Sequence, residues 1–530
     1  MDHASGRTNA ATSSTAPSEW PGERNLEQWD VQEPVQRPAT SLRERFRAAL
    51  LSSDHALHCH PYLSRESWLV GFGAPADPQT LAYPLCSLSA LPDMPDDEIL
   101  LQSLTSFNTS FKKHLFLDKC PLHSSMEGSL VPPYLQLAFA CLACALSSEP
   151  DSAQDPSDHI LSSTKHSAAR LCRSGMTLWG VMMEVDNREA RLVEAVLAGS
   201  LFATYASLTA DPAMWDSASS TLAGVGVMAR RMRMQHGNPS GIAQKLWIEC
   251  GPTMSSLMMS YFLVVDVVRA IHTRATPCIS TRELFMHMPF GHYSFNSIYG
   301  CLISGIGTLP TALRGNDNGL LLLVAICSDL LYADLISSNL AHDIILERIG
   351  FASGPNAYVP LAPESEAMHV RHIFKDALTR WHQHFSQTVS ADVMSFFYFC
   401  RLFLAVPELL YLPSYAGYPG PALSRPGPTV ACHVEEICIS DEAYNFAWLI
   451  LDHTTVGTIT EHDNKISIWL PVALFYAAMT VWHRLKYSRT SADFRGGSLS
   501  CLKMFTAELR NFPWPCCATM TLIIEKLTNE

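Results

Sequence analysis

The sequence of residues 257–271, LMMSYFLVVDVVRAI, decides the fold class of this chain. It lies within a mostly apolar stretch, residues 252–273, that is long enough for about six turns of α-helix. Two charged residues, Asp266 and Arg269, interrupt the stretch. Its length and composition predict a helix in the interior of a protein, because two charges argue against a membrane span.

These two charges form the candidate polar site of the sequence. An ionised carboxylate that is buried without a partner is costly, so an interior helix must compensate Asp266. One interpretation is that Asp266 and Arg269 each pair with a group on a neighbouring helix or face solvent. The other is that they form a polar element in a ligand cavity. Both interpretations stay open, and Asp266 and Arg269 are a candidate effector site or interhelix polar site.

Helix signals recur along the rest of the chain. An uncharged run at 134–146 follows a proline pair and predicts a buried helix. The longest uncharged run, 466–482, has about 17 residues, which is just too short to span a bilayer. Ser280 and Glu283 have the spacing of a capping box. Because no regular strand alternation occurs, we predict an all-α fold, a multi-helix globular array of helical hairpins. Further helices are expected over 300–313, 319–350, 365–387 and 390–410.

Composition narrows the class of protein. The 530 residues are 48% hydrophobic and 16% charged, which is typical of a globular chain and excludes a collagen-like or disordered one. The net charge of −13 gives no overall attraction to nucleic acids. The N-terminus lacks the apolar core of a secretion signal. Several of the 16 cysteines lie in apolar runs, so we expect reduced thiols in an intracellular protein.

Changes in composition divide the chain into segments. The first 40 residues are rich in serine, threonine and proline and poor in aliphatic residues, which predicts disorder. A stretch rich in glycine and proline separates the last helices from the main body. The predicted segments are a disordered segment at 1–40, a short helix and Pro-rich loop at 41–95, a helical body at 96–412, a Gly/Pro linker at 413–432, and C-terminal helices of the same body at 433–530.

Motifs for catalysis or metal binding are largely missing from the sequence. It has no Walker-type phosphate loop, no dinucleotide-binding glycine motif in a strand-to-helix context and no H-E-x-x-H. The glycines at 237–241 resemble a nucleophile elbow only superficially and favour a turn. Cys141 and Cys144 have ligand spacing but lie within an apolar helix, which favours core packing. The tract at 55–60, with three histidines and a cysteine, has no distal partner. We predict no catalytic residue, no cofactor and no metal site.

Short motifs in residues 118–289 are similar in order and spacing to those of a known family. They are Pro121-Leu122-His123, Pro133-Tyr134-Leu135, Ser167-Ala168-Ala169-Arg170-Leu171, the leucine helix Ala195–Tyr205, Trp215 through Ala229-Arg230-Arg231, Trp247-Ile248-Glu249, the apolar helix with Asp266, Pro277-Cys278-Ile279-Ser280, and Met288-Pro289. The set resembles the fungal-specific transcription factor domain. That domain is the middle homology region that follows the zinc DNA-binding module in many fungal regulators.

The resemblance implies an all-helical regulatory domain at 96–412 that controls a metabolic or secondary-metabolite gene set. It implies a nuclear protein, shuttling with the cytoplasm, that works with other transcription proteins and is not bound to a membrane. A small-molecule effector and a homo-oligomer are compatible with it. No cysteine precedes Cys59, so the six-cysteine zinc cluster is missing from the N-terminal region. We therefore expect DNA contact only indirectly or weakly.

A further departure from the family and two alternative functions complete the interpretation. Many members carry a pair of arginines just before the apolar helix, where this chain has Thr253-Met254-Ser255-Ser256. The first alternative is an all-helical enzyme, which requires acids or bases that converge in one cavity. The second is a helical scaffold or co-activator without effector binding. A linear sequence does not reveal which side chains converge.

Overall fold

The computed structural model describes residues 107, 115–117, 133–147, 168–185, 189–234, 253–348, 363–420, 437–460, 467–487 and 499–529. These ranges belong to a unit that spans Ser41–Glu530. The predicted disordered segment at 1–40 and the helix and loop region at 41–95 lie outside the described residues. The histidine tract at 55–60 and the turn at 237–241 lie outside them as well.

Helices make up most of the described ranges, and the predicted all-α class is confirmed. They are α1 (Pro133–Ser147), α2 (Ala168–Val185), α3 (Glu189–Ser207), α4 (Pro212–Arg231), α5 (Thr253–Thr273), α6 (Phe295–Ser304), α7 (Asn316–Arg348), α8 (Pro363–Phe385), α9 (Ala391–Ala405), α10 (Leu412–Tyr415), α11 (Asp441–Thr460), α12 (Leu470–Tyr487), α13 (Leu502–Leu509) and α14 (Cys516–Asn529). In these same ranges, the strand-type pairing is one isolated bridge between His287 and Ser294.

Helix α5 is enclosed by other helices. It contacts α3 and α4 on the N-terminal side of the chain and α7 and α12 on the C-terminal side. Residues 255–273 are all buried. A helix without a solvent-facing side needs no polar stripe, which explains why the stretch is apolar all round rather than amphipathic.

By length and composition alone, α5 could also be a membrane-spanning helix. Among the described residues, the segment Ser255–Thr273 is long and apolar enough to cross one, and its whole length is buried inside the protein. The pair Ala391–Ala405 and Leu409–Tyr415 passes the same test only when joined across a bend of 102°. A buried core helix meets these criteria as readily as a membrane span.

The C-terminal helices pack on the same body. Helix α12 has residues 470–483 buried without interruption, and it contacts α9, α11, α13 and α14. The Tyr476 hydroxyl donates a hydrogen bond of 3.0 Å to the Ile271 carbonyl at the end of α5. In the described part of the predicted linker, residues 413–420, Tyr418 is buried. This stretch therefore contributes to the core.

Two predicted helices extend too far. The one expected over 390–410 is α9, which ends at Ala405. A helix was expected over 300–313, whereas α6 spans Phe295–Ser304 and residues 305–315 are not helical. Gly305 has a φ of 71°, in the left-handed region, and its N–H bonds to the Cys301 carbonyl. This is the geometry by which glycine ends a helix, and it accounts for the shorter element.

Two glycines of α2 test how closely α2 and α3 approach. A methyl group added at Gly175 would lie 2.1 Å from Cζ of the buried Phe202, whereas one at Gly180 would meet nothing within 4 Å. We expect Gly175→Ala to lower the free energy of unfolding by about 1–3 kcal/mol through overpacking. Gly180→Ala should raise it by up to about 1 kcal/mol through helix propensity. Urea denaturation measures both, and equal effects would contradict the close approach.

Candidate functional site

Asp266 and Arg269 form a buried ion pair with each other. The distance from Arg269 Nη2 to Asp266 Oδ1 is 2.8 Å, and the side chains are 2% and 0% exposed. Arg269 Nη1 also donates to the Ser219 hydroxyl of α4 at 3.2 Å. Neither charge faces solvent. The carboxylate of Asp266 pairs with Arg269, which lies one turn further along the same helix.

The same pair holds the chain that follows α5. Asp266 Oδ2 accepts hydrogen bonds from the backbone N–H groups of Cys278 and Ile279, the latter at 3.4 Å. Arg269 Nη2 donates to the Thr276 carbonyl at 2.6 Å. Backbone groups removed from water need partners, and here two side chains of one helix supply them. The pair therefore anchors residues 276–279 along the side of α5.

The local sequence explains why the chain turns back along α5 after the helix ends. Helix α5 ends at Thr273, and Arg274 follows with a φ of 52°, in the left-handed region. Pro277 lacks a backbone N–H and cannot continue a helix. The chain therefore reverses, which brings residues 276–279 back beside the turn that contains Asp266 and Arg269.

A second ion pair holds the next residues of the chain. Arg230, at the end of α4, donates to both carboxylate oxygens of Glu283, at 2.6 and 3.0 Å, and to the Cys278 carbonyl at 2.9 Å. The hydrogen bond from Arg230 lowers the pKa of Glu283. Both side chains are 38% exposed, so solvent screens this pair more than the buried one. Ser280 and Glu283 form the predicted capping box, which is confirmed.

Helix α7 contacts the same chain from the other side. Tyr332 donates to the Pro277 carbonyl at 2.6 Å. Asp329 accepts from the hydroxyls of Thr281, at 2.6 Å, and of Tyr299 in α6, at 2.7 Å. Burial raises the pKa of Asp329. We call residues 276–283 the clamped loop, because side chains from α4, α5 and α7 all bond to it.

His272 lies near the C-terminal end of α5 and joins it to two distant parts of the chain. Its Nδ1 is 2.6 Å from the Ser207 carbonyl, and its Nε2 is 2.8 Å from the Tyr418 hydroxyl. A carbonyl can only accept, so Nδ1 carries the proton and Nε2 accepts from Tyr418. Burial lowers the pKa of His272 to about 4. The imidazole is therefore neutral at physiological pH and acts as a hydrogen-bonded core group.

The groups at the clamped loop hold the helices together and offer neither a nucleophile nor a metal site among the described residues. Burial, followed by the charge of Asp266, raises the pKa of the Cys278 thiol to about 12, so at neutral pH it is not a thiolate nucleophile. In the ranges with assigned structure, no three His, Cys, Asp or Glu side chains lie close enough to hold a metal ion. Cys141, considered above for its ligand spacing, is buried and its thiol donates to the Ala168 carbonyl at 3.4 Å.

Sequence reasoning located some of these groups and missed others. Asp266, Arg269 and the capping box stand out because they break apolar or helical patterns. Tyr332 and Tyr418 give no such signal. Tyr418 is 146 positions from His272, and only the packing of the helices brings the two together.

A double-mutant cycle tests the buried pair. Asp266→Ala leaves the guanidinium of Arg269 buried without its carboxylate, and we expect a loss of about 3–5 kcal/mol in the free energy of unfolding. Combining Asp266→Ala with Arg269→Met removes both charges and should cost less than the sum of Asp266→Ala and Arg269→Met measured separately. Glu525→Ala, which breaks an exposed pair with Arg510, is the control and should cost less than about 1 kcal/mol. Strict additivity would contradict the pairing.

The pH dependence of stability tests His272. Its pKa falls from 6.5 in the unfolded chain to about 4 when folded, so between these values the unfolded chain binds a proton that the folded chain excludes. Its contribution to stability is complete above pH 6.5 and falls as the pH decreases toward 4. In His272→Gln, denaturation curves should lack this loss, which amounts to about 3 kcal/mol. His292→Gln, at an exposed position, is the control. An unchanged pH profile in His272→Gln would refute the assignment.

We also compared the chain with known proteins. No family model, curated protein or solved structure matches the chain. The functional interpretation therefore depends on the residues and contacts described above.

Proposed function

We propose that this chain is a transcriptional regulator or co-regulator of fungal type, which acts on a metabolic or secondary-metabolite gene set through an all-helical regulatory domain. The proposal starts from the ordered motifs of residues 118–289. It assigns the chain a controlling role carried out by helix packing, and it assigns no catalytic residue.

One observation supports the proposal most directly. Three of the motifs that carry the resemblance contact one another at the clamped loop. Arg230 ends the tryptophan-containing helix and bonds to Cys278 and Glu283. Asp266 lies in the apolar helix and accepts from the N–H groups of Cys278 and Ile279, in the Pro277–Ser280 turn. Motifs scattered along a sequence by chance have no reason to meet in one polar cluster. Their convergence supports treating them as one inherited unit.

The proposed mechanism is regulation through contacts among helices. Helix α5 touches helices from both sides of the chain, and the clamped loop bonds to α4, α5 and α7. A partner or effector that favours one arrangement of these helices would change the population of that arrangement. Rigid joints of this kind carry a change in packing from one helix pair to the next.

In this proposal the partners are other transcription proteins in the nucleus. The net charge of −13 opposes direct binding to DNA, so DNA contact is indirect or weak. At physiological salt, the purified chain should not shift promoter DNA sequence-specifically in a gel assay.

A tethering experiment tests the function. The full chain is fused to a heterologous sequence-specific DNA-binding module and expressed in a fungal host with a reporter gene. We expect reporter transcription to change severalfold relative to the module alone, because tethering supplies the DNA contact that this chain is proposed to obtain from another protein. Messenger RNA from the reporter is the measurement.

Two variants control for folding. Gly180→Ala should keep the effect, because nothing lies near that position. Asp266→Ala should weaken it in proportion to the folded fraction lost. A fusion that accumulates in the nucleus at normal levels without altering transcription would refute the proposed function.

A further inference from the structure

Tyr418 lies among aromatic side chains of α4, α5 and α12. Its ring centre is 6.2 Å from that of Trp215, 5.6 Å from that of His272 and 4.8 Å from that of Phe475. Its hydroxyl donates to His272 Nε2 at 2.8 Å. We call Trp215, His272 and Phe475 the aromatic cage. The cage therefore contacts both parts of a phenol, the ring and the hydroxyl group.

The three walls of the cage have partners of their own. Trp215 Nε1 donates to the Thr209 carbonyl at 2.8 Å, and His272 Nδ1 donates to the Ser207 carbonyl at 2.6 Å. Phe475 lies in the uninterrupted buried stretch of α12. These positions are fixed by bonds and packing within the helical body, which is the arrangement of a preformed ligand site.

The side chain that fills the cage comes from a short segment, residues 412–418, which includes α10. Backbone N–H groups of residues 416–418 donate to carbonyls of residues 412–414, so the segment is bonded to itself. Gly417 is exposed and has a φ of 84°, and a methyl group added there would meet nothing within 4 Å. Glycine in open space changes its backbone angles at little cost. Rotation at Gly417 would therefore withdraw Tyr418 from the cage while the helices around it keep their places.

The chemistry of the cage selects a neutral phenol. Burial lowers the pKa of His272 to about 4, so at neutral pH its Nε2 is an unprotonated acceptor. Such a nitrogen accepts an O–H and has no proton to donate to a carboxylate or a phosphate. The surrounding rings favour an aromatic occupant through their faces and edges. A phenol combines an aromatic ring with one O–H donor, as Tyr418 itself does.

We propose that the aromatic cage is a binding site for a small phenolic ligand, and that Tyr418 occupies this site while the ligand is absent. A phenol that enters the cage takes over the hydrogen bond to His272 and displaces the tyrosine. Binding and displacement are linked, because the cage holds one ring at a time. The site does not depend on the proposed role in transcription.

Isothermal titration calorimetry of the full chain with p-cresol tests the site, because p-cresol reproduces the tyrosine side chain. A tyrosine that is outside the cage in roughly 0.1–10% of molecules weakens the apparent affinity of the ligand by about 10- to 1,000-fold. Tyr418→Ala vacates the cage, so this variant should bind p-cresol at least about tenfold more tightly than the unaltered chain.

Two controls locate the binding and test the hydrogen bond. Tyr415→Ala makes the same change in the same segment, at a side chain that is 39% exposed, and should bind p-cresol as the unaltered chain does. Toluene lacks the hydroxyl and should bind Tyr418→Ala about three- to tenfold more weakly than p-cresol, because it leaves His272 without a donor. Circular dichroism verifies that both variants fold.

Hydrogen exchange in the unaltered chain measures the displacement of Tyr418 without any substitution. When p-cresol is bound, amide exchange should become faster in a peptide that covers residues 412–420, because the Tyr418 N–H loses the Pro413 carbonyl as its acceptor. Exchange in α12 should stay the same. Mass spectrometry of peptic fragments gives both readings, and they remain decisive if Tyr418→Ala does not fold.

Each contrary result overturns the proposal. Equal affinity of p-cresol for Tyr418→Ala and for the unaltered chain would show that the cage is not the site. Equal affinity of Tyr418→Ala for toluene and p-cresol would remove the role of His272 in recognition. Unchanged exchange at residues 412–420 in the presence of p-cresol would show that Tyr418 is not displaced.

Discussion

The buried pair of Asp266 and Arg269 is the interaction on which the described structure depends. Helix α5 has no side open to water, so each charge on it must be compensated inside the protein. The pair does this with little help from other charged residues. Asp266 accepts with its second oxygen from the backbone N–H groups of Cys278 and Ile279, and Arg269 Nη2 also donates to the Thr276 carbonyl. The buried charges therefore fix the position of the chain that follows the helix, because they hydrogen-bond to its backbone.

A buried ion pair adds little net stability, because the cost of removing two charges from water offsets their attraction. Replacement of such pairs by apolar residues is often neutral or stabilising in other proteins, whereas removal of one partner is severe. Here the pair positions residues 276–279, although Arg269 Nε is buried without a hydrogen-bond partner in the described part of the chain. Arg230 and Tyr332 then bond to a loop that is already positioned, which brings α4 and α7 against the same few residues. Near the end of α5, His272 makes a similar junction between Ser207 and Tyr418.

This organisation separates two parts of the molecule by their chemistry. The clamped loop is held by hydrogen bonds from α4, α5 and α7, and its one thiol is held protonated. The aromatic cage has a different character, because it is formed by rings and the ring that fills it comes from the segment at 412–418. A loop held from three helices suits the maintenance of a fold. The proposed regulatory role uses the clamped loop, which holds the helices around it in place.

The sequence by itself determined the helical class, the burial of the long apolar segments, the capping box, and the two charges that had to be explained. These features depend on local periodicity and composition, which are read from neighbouring residues. Only the tertiary structure decided that Asp266 and Arg269 pair with each other and hold a loop, and that Tyr418 bonds to His272 across 146 positions. It also decided that Trp215, His272 and Phe475 surround the ring of Tyr418. The physical reason is that periodicity specifies which side of a helix is apolar, whereas the crossing of helices specifies which residues of distant segments meet.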